Sequence, residues 1–167
     1  TKQSIRELSE ETKQSIRELT DAQKRTEQEI SNLSSGLNGV RKQIGGLSKS
    51  VAYSLENEAF RKLPAYLKNR FQISMEERLI RTTVGAKEIN IFAKARQNGN
   101  EVIIVGECVL KLDDRSKLGQ LEESVEIVKQ HYNQPVVPLV ITHFAQSDIF
   151  RKASEEGIIV VQSFDWD

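Results

Sequence analysis

Lys87-Glu88-Ile89-Asn90-Ile91-Phe92-Ala93, followed after a short polar stretch by Asn98-Gly99 and then by Glu101-Val102-Ile103-Ile104-Val105-Gly106-Glu107-Cys108-Val109-Leu110-Lys111, is the part of the chain that decides the fold. Asn and Gly both tolerate the positive φ of a type I′ turn, so an Asn-Gly pair between apolar runs signals a β-hairpin. The spacing predicts strands over 87–96 and 101–112. Folding about Asn98-Gly99 carries Glu88 and Asn90 toward Glu107, at the end of the hairpin far from the turn. Polar side chains inside such apolar strands call for a structural or chemical reason.

On either side of the hairpin the pattern alternates between helix and strand. Upstream, 50–70 reads as a helix in which Ala52, Ala59, Phe60, Leu63, Tyr66 and Leu67 form an apolar stripe. Glu56 falls on that stripe, four residues before Phe60 and seven before Leu63, and Pro64 is expected to kink the helix or open a new first turn. Glu77 to Val84 reads as a strand. Downstream, 114–132 is an amphipathic helix with Leu118, Leu121, Val125 and Val128 inward. Val136 to Thr142 then reads as a buried strand, 147–156 as a helix begun at a serine cap and stopped by Gly157, and 158–161 as a last strand. Two all-apolar strands around a helix suit a parallel crossover. The expected class is α/β, a mixed central sheet flanked by helices in the order αβββαβαβ.

Residues 1–55 read differently, as one long helix. Ile30, Leu33, Leu37, Val40, Ile44, Leu47 and Val51 recur in alternating steps of three and four, the spacing of a coiled-coil seam. Thr1-Lys-Gln-Ser-Ile-Arg-Glu-Leu8 recurs as Thr12-Lys-Gln-Ser-Ile-Arg-Glu-Leu19, and an eleven-residue period implies a straighter or right-handed supercoil there. It also suggests a stalk extending before Thr1. Thr12 and Thr26 make the seam polar, and Gly36, Gly39, Gly45 and Gly46 each cost about 1 kcal/mol of helix stability relative to alanine. Partner helices would have to hold such a segment together, or the glycines mark a joint. The expected division is a stalk over 1–50 that forms a homo-oligomer, a dimer or next a tetramer, and an α/β domain over 51–167.

Composition sets outer limits. The 167 residues are 38% hydrophobic and 29% charged, with Lys plus Arg equal to Asp plus Glu, so net charge does not demand a nucleic-acid partner. Residues 1–55 hold nine basic and seven acidic groups, and 56–167 fifteen and seventeen. Nucleic-acid contact would need a local patch, with Lys62, Lys68, Arg70, Arg78 and Arg81 as candidates; a solvated surface is the plainer account. No apolar run approaches the roughly 20 residues of a membrane span, and the start is too charged for a signal peptide, so no membrane role and a cytoplasmic location are expected. Cys108 excludes an internal disulfide and reads as a buried thiol on the face opposite Glu107. His131 and His143 give no zinc spacing.

Leu55-Glu56-x-x-Ala-Phe-x-x-Leu-Pro, Glu88-Ile-Asn-Ile and Gly106-Glu107 together resemble the core of the PD-(D/E)XK nuclease superfamily, and in particular a group of prokaryotic proteins in which helical stalks precede such a head. The resemblance implies a restriction-endonuclease-like fold and phosphodiester cleavage assisted by Mg²⁺ or Mn²⁺. It assigns the helix-1 glutamate to Glu56, the first-strand acid to position 90, the second-strand acid to Glu107, the lysine to position 109 and a helix glutamine to Gln120. Asn90 and Val109 depart from that pattern. Glu88 and Lys111, each two residues and about 6.6 Å along the strand, are the available substitutes.

An active site would therefore use Glu107 with Asn90 or Glu88 as metal ligands, Lys111 beside the attacking water, and Glu56 and Gln120 in support. The competing expectation is a degenerate site in which Glu56 and Glu107 are structural. The chain is then a non-catalytic oligomeric module that binds a partner, with nucleic acid one possibility.

Overall fold

In the computed structural model, which describes residues 1–166, the chain divides into two compact units, Thr1–Leu47 and Ser48–Asp167. Helix α1 covers Lys2–Phe71. Within the first unit its apolar seam residues are exposed, from Ile5 to Leu47. Thr12, Thr20 and Thr26 each donate Oγ1 to the carbonyl four residues earlier, at 2.8, 2.7 and 3.0 Å, so the polar positions of this segment satisfy themselves within the helix. The helix runs through all four glycines, and a Cβ added at any of them would meet nothing within 4 Å.

The second unit holds a six-stranded sheet in the order β1-β3-β4-β5-β6, with β2 also paired to β3. Its strands are β1 Ile73–Met75, β2 Ile80–Val84, β3 Lys87–Gln97, β4 Asn100–Leu112, β5 Val136–Ala145 and β6 Ile159–Gln162. Pairings through β4 are antiparallel; β4–β5 and β5–β6 are parallel. The two connections between parallel strands carry α2 (Ser116–His131) and α3 (Ser147–Glu155).

Alternating side chains supply two apolar layers. Ile91, Ala93, Ala95, Ile104, Leu139 and Ile141 pack with Leu55, Ala59, Leu63 and Leu67 of α1. Ile89, Phe92, Ile103, Val105 and Val140 pack with Leu118, Leu121 and Val128 of α2 and Ile149 and Ala153 of α3. At roughly 25 cal/mol per Å² of apolar surface, these layers are the main source of the head's stability.

Two sequence expectations are corrected, and one alternative for a third is removed. Four strands precede α2 instead of three, because the segment expected as one strand over Glu77–Val84 is only β2, with β1 upstream. Between them the Glu77 carboxylate accepts the Lys94 N–H of β3 at 3.0 Å, taking the place of a strand carbonyl and interrupting the ladder. Of the two alternatives for Pro64, a new first turn is excluded: it lies inside α1 between the fully buried Leu63 and Leu67. Ser147 does not cap α3 with its side chain. The cap position is Gln146, which is held by donating its N–H to the Leu112 carbonyl at 2.9 Å. The stop at Gly157 stands as expected: Gly157 N–H bonds Ser154 O at 3.1 Å and Ile158 N–H bonds Ala153 O at 2.9 Å, the two bonds of a Schellman motif.

Candidate functional site

The β3–β4 hairpin closes at Asn98 (φ 51°) and Gly99 (φ 83°), the two positive angles that its two-residue turn requires. From Gln97↔Asn100 the register runs unbroken to Ile91↔Gly106. Gly106 is needed there: a Cβ would lie 2.5 Å from Leu139 Cδ1 and 3.1 Å from Ile91 Cβ.

Beyond that pair the geometry changes. Between β2 and β3 the register steps from Ile80↔Phe92 to Thr82↔Ile89, so Asn90 and Ile91 together oppose Arg81. This is a β-bulge, and it sends Ile91 to the α1 layer although Ile89 and Phe92 face α2. Asn90 then closes the gap with its side chain, its Oδ1 accepting the Cys108 N–H at 3.1 Å. The amide continues the ladder where the backbone of β3 has turned away.

Glu107 faces the other side, accepting the Ser124 hydroxyl of α2 at 2.9 Å; Ser124 also bonds the Gln120 carbonyl at 3.2 Å. Burial raises the Glu107 carboxyl above the ordinary glutamate range, opposed by the Ser124 hydrogen bond and by the charges of Lys87 and Arg81. Cys108, next along β4, packs into the α1 layer, and its thiol is pushed far upward by burial and by the negative charges of Glu56 and Glu107. The shift favours the protonated thiol over the nucleophilic thiolate, and the residue is half-buried.

Glu56 lies on the buried stripe of α1, its side chain 7% exposed. Its partner is Arg81 of β2, whose Nε stands 3.3 Å from Glu56 Oε1 and 3.1 Å from Glu88 Oε1. The Tyr53 ring lies 5.3 Å from the same guanidinium. Burial raises the Glu56 carboxyl, with Arg81 opposing and Glu88 reinforcing the shift. For Arg81 burial works against the charge, but Tyr53, Glu56 and Glu88 outweigh it and hold the guanidinium above its ordinary value.

The sequence-derived residues therefore separate. Glu56 and Glu88 meet at Arg81; Asn90 is engaged with the β4 backbone; Glu107 is engaged with α2. Lys111 is exposed and stands 3.8 Å from Asp113, and the Gln120 side chain is exposed, only its carbonyl reaching Ser124. Two members were missed. Ser124 carried a signal, since it lies three residues from Leu121 and four from Val128 on the inward stripe of α2. Arg81 carries no local signal beyond its charge. Of the other candidate bases, Arg70 lies over the Tyr66 ring at 5.4 Å. A groove of about 640 Å³ lined by Phe60, Pro64, Met75, Leu79 and Ile80 contains none of the site residues.

A divalent ion needs several free oxygens directed at one point. Among the described residues no three of His, Cys, Asp or Glu come together as such a set. Asn90 Oδ1 already accepts the Cys108 N–H and carries no charge, and the cation beside Glu56 and Glu88 is Arg81. The arrangement does not fit the metal that the sequence resemblance implies. What it can do is link α1, β2 and β3 through charge-assisted contacts, and β4 to α2 through Glu107.

Among the described residues no helix is long and apolar enough to cross a membrane. No family model and no curated protein matches the chain. Among solved structures it is similar to a repair endonuclease from Pyrococcus abyssi, at 13% identity and a TM-score of 0.42 over 61% of this chain and 45% of that one. It is also similar to EndoMS in its apo form, at 17% identity and a TM-score of 0.37 over 62% of this chain and 45% of that one. The similarity thus spans less than half the length of either protein.

Proposed function

We propose that this protein is a nuclease-like module that has lost metal-dependent cleavage and acts by binding, its heads displayed in several copies by a homo-oligomeric coiled coil. The observation that carries the reading is Asn90. At the position where the sequence pattern expects a metal-binding acid stands a neutral amide whose oxygen accepts the Cys108 N–H at 3.1 Å. An aspartate there would bring a charge into the strand junction; the amide bridges it without one. Val109, at the lysine position, offers neither a base nor a cation, and packs against the α2 layer.

The stalk supports the second half of the reading. An apolar seam of eleven-residue and seven-residue spacing that stays exposed along one chain is a surface for other helices. Several heads on one stalk raise the effective concentration for a repetitive partner without new contacts.

The test is incubation of the full chain with Mn²⁺ or Mg²⁺ and single-stranded DNA, duplex DNA and RNA, beside the Glu107→Ala variant. No cleavage above that variant is expected. Cleavage that disappears with Glu107→Ala would overturn the reading and restore Glu107 as a catalytic carboxylate.

A further inference from the structure

We propose that Arg81 is the resident cation of this site: its guanidinium holds the Glu56 and Glu88 carboxylates together and thereby keeps divalent metal ions out of the head. The proposal rests on the reading of the head as a degenerate nuclease-like module and says what replaced the ion.

Both ion pairs converge on one group. Arg81 Nε stands 3.3 Å from Glu56 Oε1 and 3.1 Å from Glu88 Oε1, so a single nitrogen lies within ion-pair distance of two carboxylates from different elements. Glu56 is on α1 and nearly buried; Glu88 is on β3 and more than half exposed; Arg81 is on β2, its side chain 35% exposed. The Tyr53 ring covers the guanidinium. The bulge at Asn90 and Ile91 lies directly opposite Arg81, and bulges characteristically re-aim the side chains around them.

Arg81 also reaches beyond its two partners. Its positive charge acts on Glu107 and Cys108, so one guanidinium serves acids on α1, β3 and β4. That is the electrostatic task of a bound cation, performed by a covalently attached one. A divalent ion entering here must displace the guanidinium from both carboxylates and leave it partly buried and unpaired. The cost falls mainly on the Glu56 side, whose side chain is only 7% exposed, since Arg81 and Glu88 are partly solvated.

The geometry also says which change would reverse the situation. Removing the guanidinium takes the Arg81 ion pair away from Glu56, with Glu88 beside it and Glu107 within electrostatic reach. The Glu56 and Glu88 carboxylates, both within ion-pair distance of the removed guanidinium, then form an uncompensated pair that attracts a cation from solution.

Isothermal titration of the full chain with MnCl2 tests this, comparing the natural chain, Arg81→Lys and Arg81→Gln. The natural chain and Arg81→Lys, which keep a cation, are expected to bind no Mn²⁺ at micromolar levels. Arg81→Gln is expected to bind at least about tenfold more tightly than either, and the gain to vanish when Glu56→Gln is added. Equal affinity of the natural chain and Arg81→Gln, whether tight or undetectable, overturns the role of Arg81.

Should Arg81→Gln fail to fold by circular dichroism, the natural chain still decides. Its Arg81 Nε–H resonance, assigned with Arg81→Lys, should stay in place when millimolar Mg²⁺ is added, and a shift of that resonance would overturn the proposal. The cleavage assay judges the broader reading separately. Undetectable cleavage with equal metal affinities removes Arg81 from its role and leaves a degenerate module; Glu107-dependent cleavage removes the module reading itself.

Discussion

Helix α1 carries two apolar stripes of the same helical spacing, and they meet different fates. In the stalk Ile30 and Leu33 are 61% and 67% exposed; in the head Leu63 and Leu67 are fully buried beneath the sheet. One stripe finds its partner within the chain and the other does not. Periodicity marks a face that must leave water, but only the topology around it says whether the cover is intramolecular. The head is a self-covering unit, whereas the N-terminal stripe stays exposed along a helix that, with four glycines and several polar positions, is marginal on its own; the proposed oligomer would cover it.

The sharpest way to break this contrast is Leu37→Asp. A carboxylate on the seam should weaken association of the stalk by orders of magnitude, because burying an unpaired charge is prohibitive. Light scattering should then report the 19.0 kDa of a single chain, while the thermal transition of the head stays in place. An unchanged mass would show that this stripe is not the interface.

Ile104→Ala probes the opposite unit, removing a fully buried side chain from the layer against α1. It should destabilise the head by about 2–5 kcal/mol in urea unfolding, without altering the mass of the assembly. Gly106→Ala should cost about 1–3 kcal/mol by forcing a methyl against Leu139 and Ile91; a neutral result would mean that β4 and β5 separate more easily than their close approach implies. Gly39→Ala acts on the stalk in the reverse direction. With open space at that position, it should gain about 1 kcal/mol of helix stability, visible as a rise in far-ultraviolet ellipticity and in the stalk's melting temperature.

The smallest effect is in the pH response. Burial raises the Glu107 carboxyl above its ordinary 4.5, so folding favours the protonated form. The corresponding stability is fully present below that ordinary value and is lost as pH rises through the folded value. Glu107→Gln can still accept the Ser124 hydroxyl, carries no charge, and should flatten the decline. Urea midpoints measured from acid to neutral pH should converge at the acid end and favour the variant at pH 7. A variant less stable than the natural chain at neutral pH would mean that the Glu107 charge is itself stabilising.

Most of the architecture is legible from local signals. The Asn98-Gly99 turn sets the hairpin register, apolar alternation marks the paired strands, and Gly157 stops α3. Elements whose boundaries depend on side chains far away in the chain are less legible. β1 and the break before β2 follow from Glu77 reaching the Lys94 N–H, and the cap of α3 from Gln146 meeting Leu112. Pro64, a breaker by local rules, is tolerated where buried leucines flank it.

The site divides along the same line. Hairpin register alone is enough to bring Asn90 toward Glu107, and the absence of an acid at 90 and a lysine at 109 is plain in the residues themselves. The sequence by itself therefore determined the fold class, the long N-terminal helix and the departure from a metal-binding pattern, because turn chemistry, periodicity and residue identity are properties of short stretches. The pairing of Arg81 with Glu56 and Glu88, the amide bridge from Asn90 to Cys108 and the turn of Glu107 toward Ser124 were decided only in the tertiary structure. Each depends on which face of the sheet a side chain occupies after the bulge, and a one-residue change in register reverses that face.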